Sequence, residues 1–367
     1  MRDSGQLFLM AHQAMVSAGL DVNAIYRRIG YDANKHDMRE HRTLHELQLQ
    51  FWEAIEAVSG DPDIGLRLCP HLPVYRGEIL EYLMLSCPRF GEGLHRVVKY
   101  LRLVSDAIQA RLQVDATTLR ISGVVTRLNA PQLRHTEICT LYGMIQFVRE
   151  MTDGQARLLH VGLRCKRISP QADYERVFGC PVRFEQAESE ICVDRALLDF
   201  RPSRCNAELF RVHEELAASR LSSLWRQDLI DRIRGVFSRR VEFMDCQLED
   251  VARELEVSPR LLRYKLAQAG TTFSDLLADF RMILARRLLT RTDERLDHIA
   301  YVTGFSEPSS FYRAFKRWTG VTPIQYREGH RQPGLDDPST PSKLKDSAEL
   351  LLRDPLQARP APRSSVR

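Results

Sequence analysis

Several things are missing from this chain, and each absence removes a class of function. It contains no Cys-x-x-Cys, and its eight cysteines (69, 87, 139, 165, 180, 192, 205 and 246) follow no zinc spacing. A chain of 367 residues can bury a full core without a disulfide framework, so the thiols are expected to be reduced, mostly buried and cytoplasmic. No apolar run nears the roughly 18–20 residues of a membrane span; Ile79–Leu85 is short and broken by Glu81. The apolar stretch Leu7–Leu20 is interrupted by His12 and Gln13 and preceded by Asp3, which predicts an amphipathic helix and not a secretion signal. A phosphate-binding glycine loop, a nucleophile elbow and His-Glu-x-x-His are all missing, and Gly91-Glu92-Gly93 alone is a turn. Cys69-Pro70-His71 has neither activating neighbours nor zinc partners, which argues against alkyl-transfer chemistry. His41 and His45 lack a third ligand and read as a surface pair on a helix. No catalytic residue, metal or cofactor is expected.

Net charge is scant too. Lys+Arg exceed Asp+Glu by only 53 to 48, leaving +5. Such a total does not mark a nucleic-acid binder; the placement of the charges decides. With 44% hydrophobic and 28% charged residues the composition is that of a globular protein, and the length suits two domains.

Residues 5–105 read as helices, with apolar stripes at Leu44, Leu47, Phe51, Ile55 and Val58 and at Leu94, Val97, Val98, Leu101 and Val104. Thr43 with Glu46 predicts a capping-box start for the first stripe. Strands are expected at Ala110–Val114, Thr118–Val124, Leu158–Leu163 and Ser189–Val193, the first two joined by a turn over Asp115-Ala116-Thr117. A helix from Leu133 to about Glu150 lies among them. The expected organisation is an α+β domain over 1–205, a helical linker over 206–225, an all-α domain over 226–331 and a proline-rich tail over 332–367. That tail is expected to be disordered, with a transient helix over Lys343–Leu352.

The all-α part carries the function. Leu248–Leu255 is a short helix with Leu248, Val251, Ala252 and Leu255 inward. Glu256-Val257-Ser258 makes a tight turn, Ser258 is placed as N-cap, and Pro259 opens the next helix, which buries Leu261, Leu262 and Leu266 and stops at Gly270. This is a helix-turn-helix pattern. It returns 48 residues later: Ile299, Ala300 and Ser306 match Val251, Ala252 and Ser258, and the following helix buries Phe311, Phe315 and Trp318 after a turn one residue longer. Charge is sorted between the helices. The second helix of each unit holds only bases (Arg260, Arg263, Lys265; Arg313, Lys316, Arg317), whereas Glu249, Asp250, Glu254 and Glu256 crowd the first supporting helix and Asp293, Glu294 and Asp297 the second. Concentrating bases there rewards contact with DNA through counterion release. Between the units, Phe273–Thr290 forms a helix about 27 Å long, the right order to hold two readers in successive major grooves about 34–36 Å apart. Arg281, Arg286, Arg287 and Arg291 on it are candidates for phosphate contact, with Arg281 alternatively an internal structural residue.

The stretch Ile299 to Pro323, with Gly304-Phe305-Ser306, Phe311-Tyr312-Arg313 and Tyr326-Arg327, is very similar to the signature of AraC/XylS bacterial transcription regulators. Val257-Ser258, Arg260, Leu262, Leu266, Gly270, Thr272-Phe273 and Leu276-Leu277 carry the same likeness in the first unit. Glu256 departs from it, standing where glycine is common. The resemblance implies base contacts from Arg260, Arg263, Tyr264, Ser309, Ser310, Tyr312 and Arg313, with Lys265, Lys316 and Arg317 better suited to phosphate. It also implies promoter DNA and RNA polymerase as partners, and an activating role. Tyr174–Phe184 and Leu197-Leu198 resemble the large effector-type domain of one branch of the family, which implies a small-molecule ligand of unknown identity and homodimerisation. A regulator without effector, its N-terminal domain serving only protein interaction, stays open beside this.

Overall fold

The structure is a computed structural model that describes residues 1–31, 42–45, 47–123, 133–239 and 246–330. The chain divides into two compact units, Met1–Ser222 and Ser223–Arg367. The proline-rich tail and His41 lie outside the described residues.

The first unit opens with β1 (Arg2–Asp3), α1 (Gly5–Ser17), α2 (Val22–Arg28), β2 (Thr43–Leu44), α3 (Leu47–Ser59), α4 (Ile64–Leu68), α5 (Ile79–Ser86) and α6 (Phe90–Tyr100). Two expectations fail here for one reason. Thr43 pairs antiparallel with Asp3 instead of capping a helix, so α3 begins only at Leu47. The same pairing draws His45 inward: its Nδ1 lies 2.8 Å from Asp3 Oδ2, and its side chain is buried rather than on a helix surface. Hydrogen bonds from His45, Ser105 and Gln48 hold the Asp3 carboxyl below its usual range although burial pushes it up.

The mixed part follows: β3 (Arg111–Val114), β4 (Thr118–Ser122), α7 (Leu133–Met151), β5 (Leu158–Gly162), α8 (Gln171–Phe178), β6 (Val182–Arg183) and β7 (Glu190–Asp194). The expected hairpin is present, Asp115 N–H donating to Thr118 O at 2.9 Å. Strand order is β3-β4-β7-β5-β6, antiparallel except for β5 with β6. Alternation puts Leu119, Ile121, Val161, Ile191 and Val193 in one core with Ile138, Leu141, Ile145 and Val148 of α7. The opposite strand positions are polar, with Glu190 tied to Arg120 at 3.2 Å and to His160 at 2.9 Å.

The helical linker expected over 206–225 is part of one longer helix, α9 (Ala207–Arg239). Phe210 and Ala217 join the core of the first unit around Leu80, Leu83 and Tyr100. Ile233, Val236 and Phe237 belong to the core of the second. That unit continues with α10 (Leu248–Glu254), α11 (Pro259–Gln268), α12 (Phe273–Arg291), α13 (Leu296–Val302), α14 (Pro308–Thr319) and α15 (Pro323–His330). The fold class is therefore a mixed α/β region followed by an all-helical one. Among the described residues no helix is long and apolar enough to cross a membrane, and no disulfide joins the cysteines.

Candidate nucleic-acid interface

Each helix pair is set by local chemistry. Gln247 and Asp250 form a reciprocal capping box at the start of α10. Ser258 Oγ accepts the Leu261 N–H at 3.2 Å and Pro259 opens α11, as expected. Between them Glu256 takes the left-handed conformation at φ +56°, where a side chain costs about 1 kcal/mol or more. In the second unit Gly304 holds the same corner at φ +84°. The serine match does not extend to function. Glu307, not Ser306, is the N-cap of α14, and no side chain caps its amides. It is Pro308 that repeats Pro259, which absorbs the extra turn residue.

One core supports both pairs: Val251, Ala252, Leu262 and Leu266 from the first, Ile299, Ala300, Phe311 and Phe315 from the second, with Leu276, Phe280, Leu284 and Leu288 of α12 between. Thr272 caps α12 by accepting the Asp275 N–H at 3.1 Å. The arginines of α12 divide. Arg281 lies over the Phe305 ring at 5.5 Å, tying α12 to the turn of the second pair, and Arg286 lies over the Tyr326 ring of α15 at 5.7 Å. Burial lowers the affinity of Arg281 for its proton.

Opposite the core, α11 presents Arg260, Arg263 and Tyr264 on one stripe, with Lys265 exposed alongside. Tyr264 is 60% exposed, and its hydroxyl accepts from Gln268 Nε2 at 2.7 Å. Leu261 was expected inside and is 40% exposed. Leu262 and Leu266 take the core face, and Leu261, a hundred degrees round the helix, has Lys265 as its i+4 neighbour. It is thus an apolar member of the exposed face, of the type that contacts a thymine methyl. On α14, Ser309, Arg313, Lys316 and Arg317 are exposed. Ser310 is half-buried and accepts from Arg313 Nη2 at 3.3 Å. Tyr312 is half-buried against Phe311, and burial, aided by Asp297, raises its pKa. Trp318 is half-buried beside Phe305.

Comparison with known proteins bears on what this surface does. Residues 251–329 match the family model of a helix-turn-helix domain, and residues 19–201 that of the arabinose-binding domain of AraC transcription regulators, N-terminal. The ornithine utilization regulator of Pseudomonas aeruginosa is 31% identical over 76% of this chain and 82% of its own. The chain belongs to the AraC family of transcription regulators. The HTH-type transcriptional regulator VirS of Mycobacterium tuberculosis is another relative of this AraC protein, 29% identical over 75% of this chain and 81% of its own. The crystal structure of the transcriptional regulator CdpR from Pseudomonas aeruginosa covers 83% of this chain and 96% of that one, at 22% identity and a TM-score of 0.40. AraC proteins are DNA-binding regulators and not enzymes, and this one carries the effector-type N-terminal domain.

Proposed function

We propose that this AraC-family regulator reads two successive major grooves of promoter DNA through α11 and α14. Its ligand-responsive first domain, over 1–205, joins through 206–225 to the reader at 226–331. The observation that carries the reading is the sorting of charge on exposed surface. Neither α11 nor α14 contains an acid, both expose bases opposite their buried faces, and their supporting helices are acidic. Arg260, Arg263, Tyr264, Ser309, Ser310, Tyr312 and Arg313 face base edges in this reading, and Lys265, Lys316 and Arg317 face phosphate. The protein acts in the cytoplasm as an activator, with RNA polymerase as its partner on the promoter. Pairing of two copies fits the exposure of Leu209, Val212 and Leu216 at helical spacing on α9.

The test has two parts. Selection of duplexes from a randomised library with the full chain should yield a motif spanning two half-sites one helical turn apart. A single half-site, or no enrichment, would overturn the two-groove reading. Thermal-shift screening of the full chain against metabolites should find a selective stabiliser, since a ligand of the folded state raises its stability by mass action. A screen without one would favour the effector-independent regulator.

A further inference from the structure

We infer that Glu249, on the supporting helix α10, is a positioning residue that sets the base selectivity of Arg263; the inference rests on the reading of Arg263 as a base contact. Arg263 Nη2 donates to Glu249 Oε1 at 2.7 Å, across 14 residues of sequence. Both side chains are more than half exposed, at 62% and 51%, and ion pairs so exposed add little to stability. The fold does not depend on this pair. Among the described residues Arg260, Lys265, Lys316 and Arg317 make no ion pair, so Arg263 is singled out among the cations of this face.

A guanidinium is a planar fork of five donors. Anchoring one of them narrows the range of orientations that the remaining donors sample. An arginine so fixed can meet guanine O6 and N7 as a pair. The carboxylate acts a second way: by offsetting the charge of Arg263 it reduces the counterion release gained on any duplex. Orientation favours the right base, and partial neutralisation disfavours the wrong DNA. The second unit places other residues at the corresponding positions. Asp297 on α13 stands 48 positions after Glu249, and Tyr312 takes the place of Arg263 on α14.

The test compares wild-type, E249Q, R263A and the double variant in the full chain. Each is titrated against the duplex selected by wild-type and against a scrambled duplex. E249Q should bind the scrambled duplex more tightly, and its specific-to-scrambled ratio should fall about fivefold, the lower end of what one arginine–base pair discriminates. Its preference at the single base pair read by Arg263 should flatten, while other positions keep theirs. In the R263A background E249Q should change neither the ratio nor the base preference. If E249Q leaves both as in wild-type, or lowers the ratio equally with and without Arg263, the positioning role is overturned. If R263A alone leaves operator affinity unchanged, the contact assignment beneath it falls instead, which keeps the two failures apart.

Discussion

In the first helix-turn-helix the corner is turned by Glu256 at φ +56°, and Ser258 then caps α11. In the second, Gly304 turns the corner at φ +84°, and Glu307 precedes α14 as an N-cap without a side-chain hydrogen bond. One unit combines a strained corner with a satisfied cap; the other combines a relaxed corner with open amides. Their exposed faces differ in the same pairwise way. The first offers long cations and an apolar residue, Arg260, Leu261 and Arg263; the second offers Ser309, Ser310 and a half-buried Tyr312 in the same helical positions. Two copies of one motif thus reach equal architecture through different local solutions, and the differences lie where bases would be met.

The sharpest way to break the symmetry is in the core. Phe311 and Leu262 sit four residues into their helices and are fully buried. Phe311→Ala should cost about 3–5 kcal/mol and Leu262→Ala about 2–5 kcal/mol, read from urea unfolding. Losses below about 1 kcal/mol for either would contradict its full burial in the core. Next come the exposed faces. Arg260→Ala and Arg263→Ala should each lose about 1–3 kcal/mol of operator binding and relax one base position, with Ser309→Ala losing about 0.5–1.5 kcal/mol in the other half-site.

The caps and corners discriminate more finely. Ser258→Ala should destabilise by about 0.5–2 kcal/mol, whereas Glu307→Ala stays within about 0.5 kcal/mol, a gap that thermal unfolding would measure. Glu256→Gly should stabilise by about 0.5–1 kcal/mol, and Gly304→Ala should destabilise by about 1 kcal/mol; the same sign for both would contradict the shared corner geometry. Smallest is Lys316→Ala, which should weaken binding to all sequences alike and flatten the salt dependence by about one unit in a titration series.

What the sequence made legible was what neighbours in the chain decide. Ser258, Pro259 and Gly270 mark the bounds of α11 because capping is local chemistry. The β3–β4 hairpin was visible for the same reason, whereas the pairing of Leu119 with Val193 joins residues far apart and left no local trace. His45 illustrates the cost: only the partner strand at Arg2–Asp3 turns it inward, and nothing near His45 announces that strand. Leu261 is different, since the i+4 pairing of Leu262 with Leu266 already distinguished the two leucines. On the surface, the separation of acid from base by helix was legible, but the hydrogen bond between Glu249 and Arg263 depends on how α10 and α11 cross.

The shared core around α12 has a consequence for the nucleic acid itself. With both helix pairs packed on one 19-residue rod, about 28 Å long, the separation of the two reading surfaces is a fixed length. If α11 and α14 engage one operator, whose successive major grooves lie about 34–36 Å apart, any mismatch with that spacing falls to the DNA, which would deform to meet it. Adding one base pair between the half-sites would swing the second groove about 35° round the duplex axis, against two pairs that pack on one shared core. Sequence between the half-sites, never touched, would then govern affinity through its stiffness.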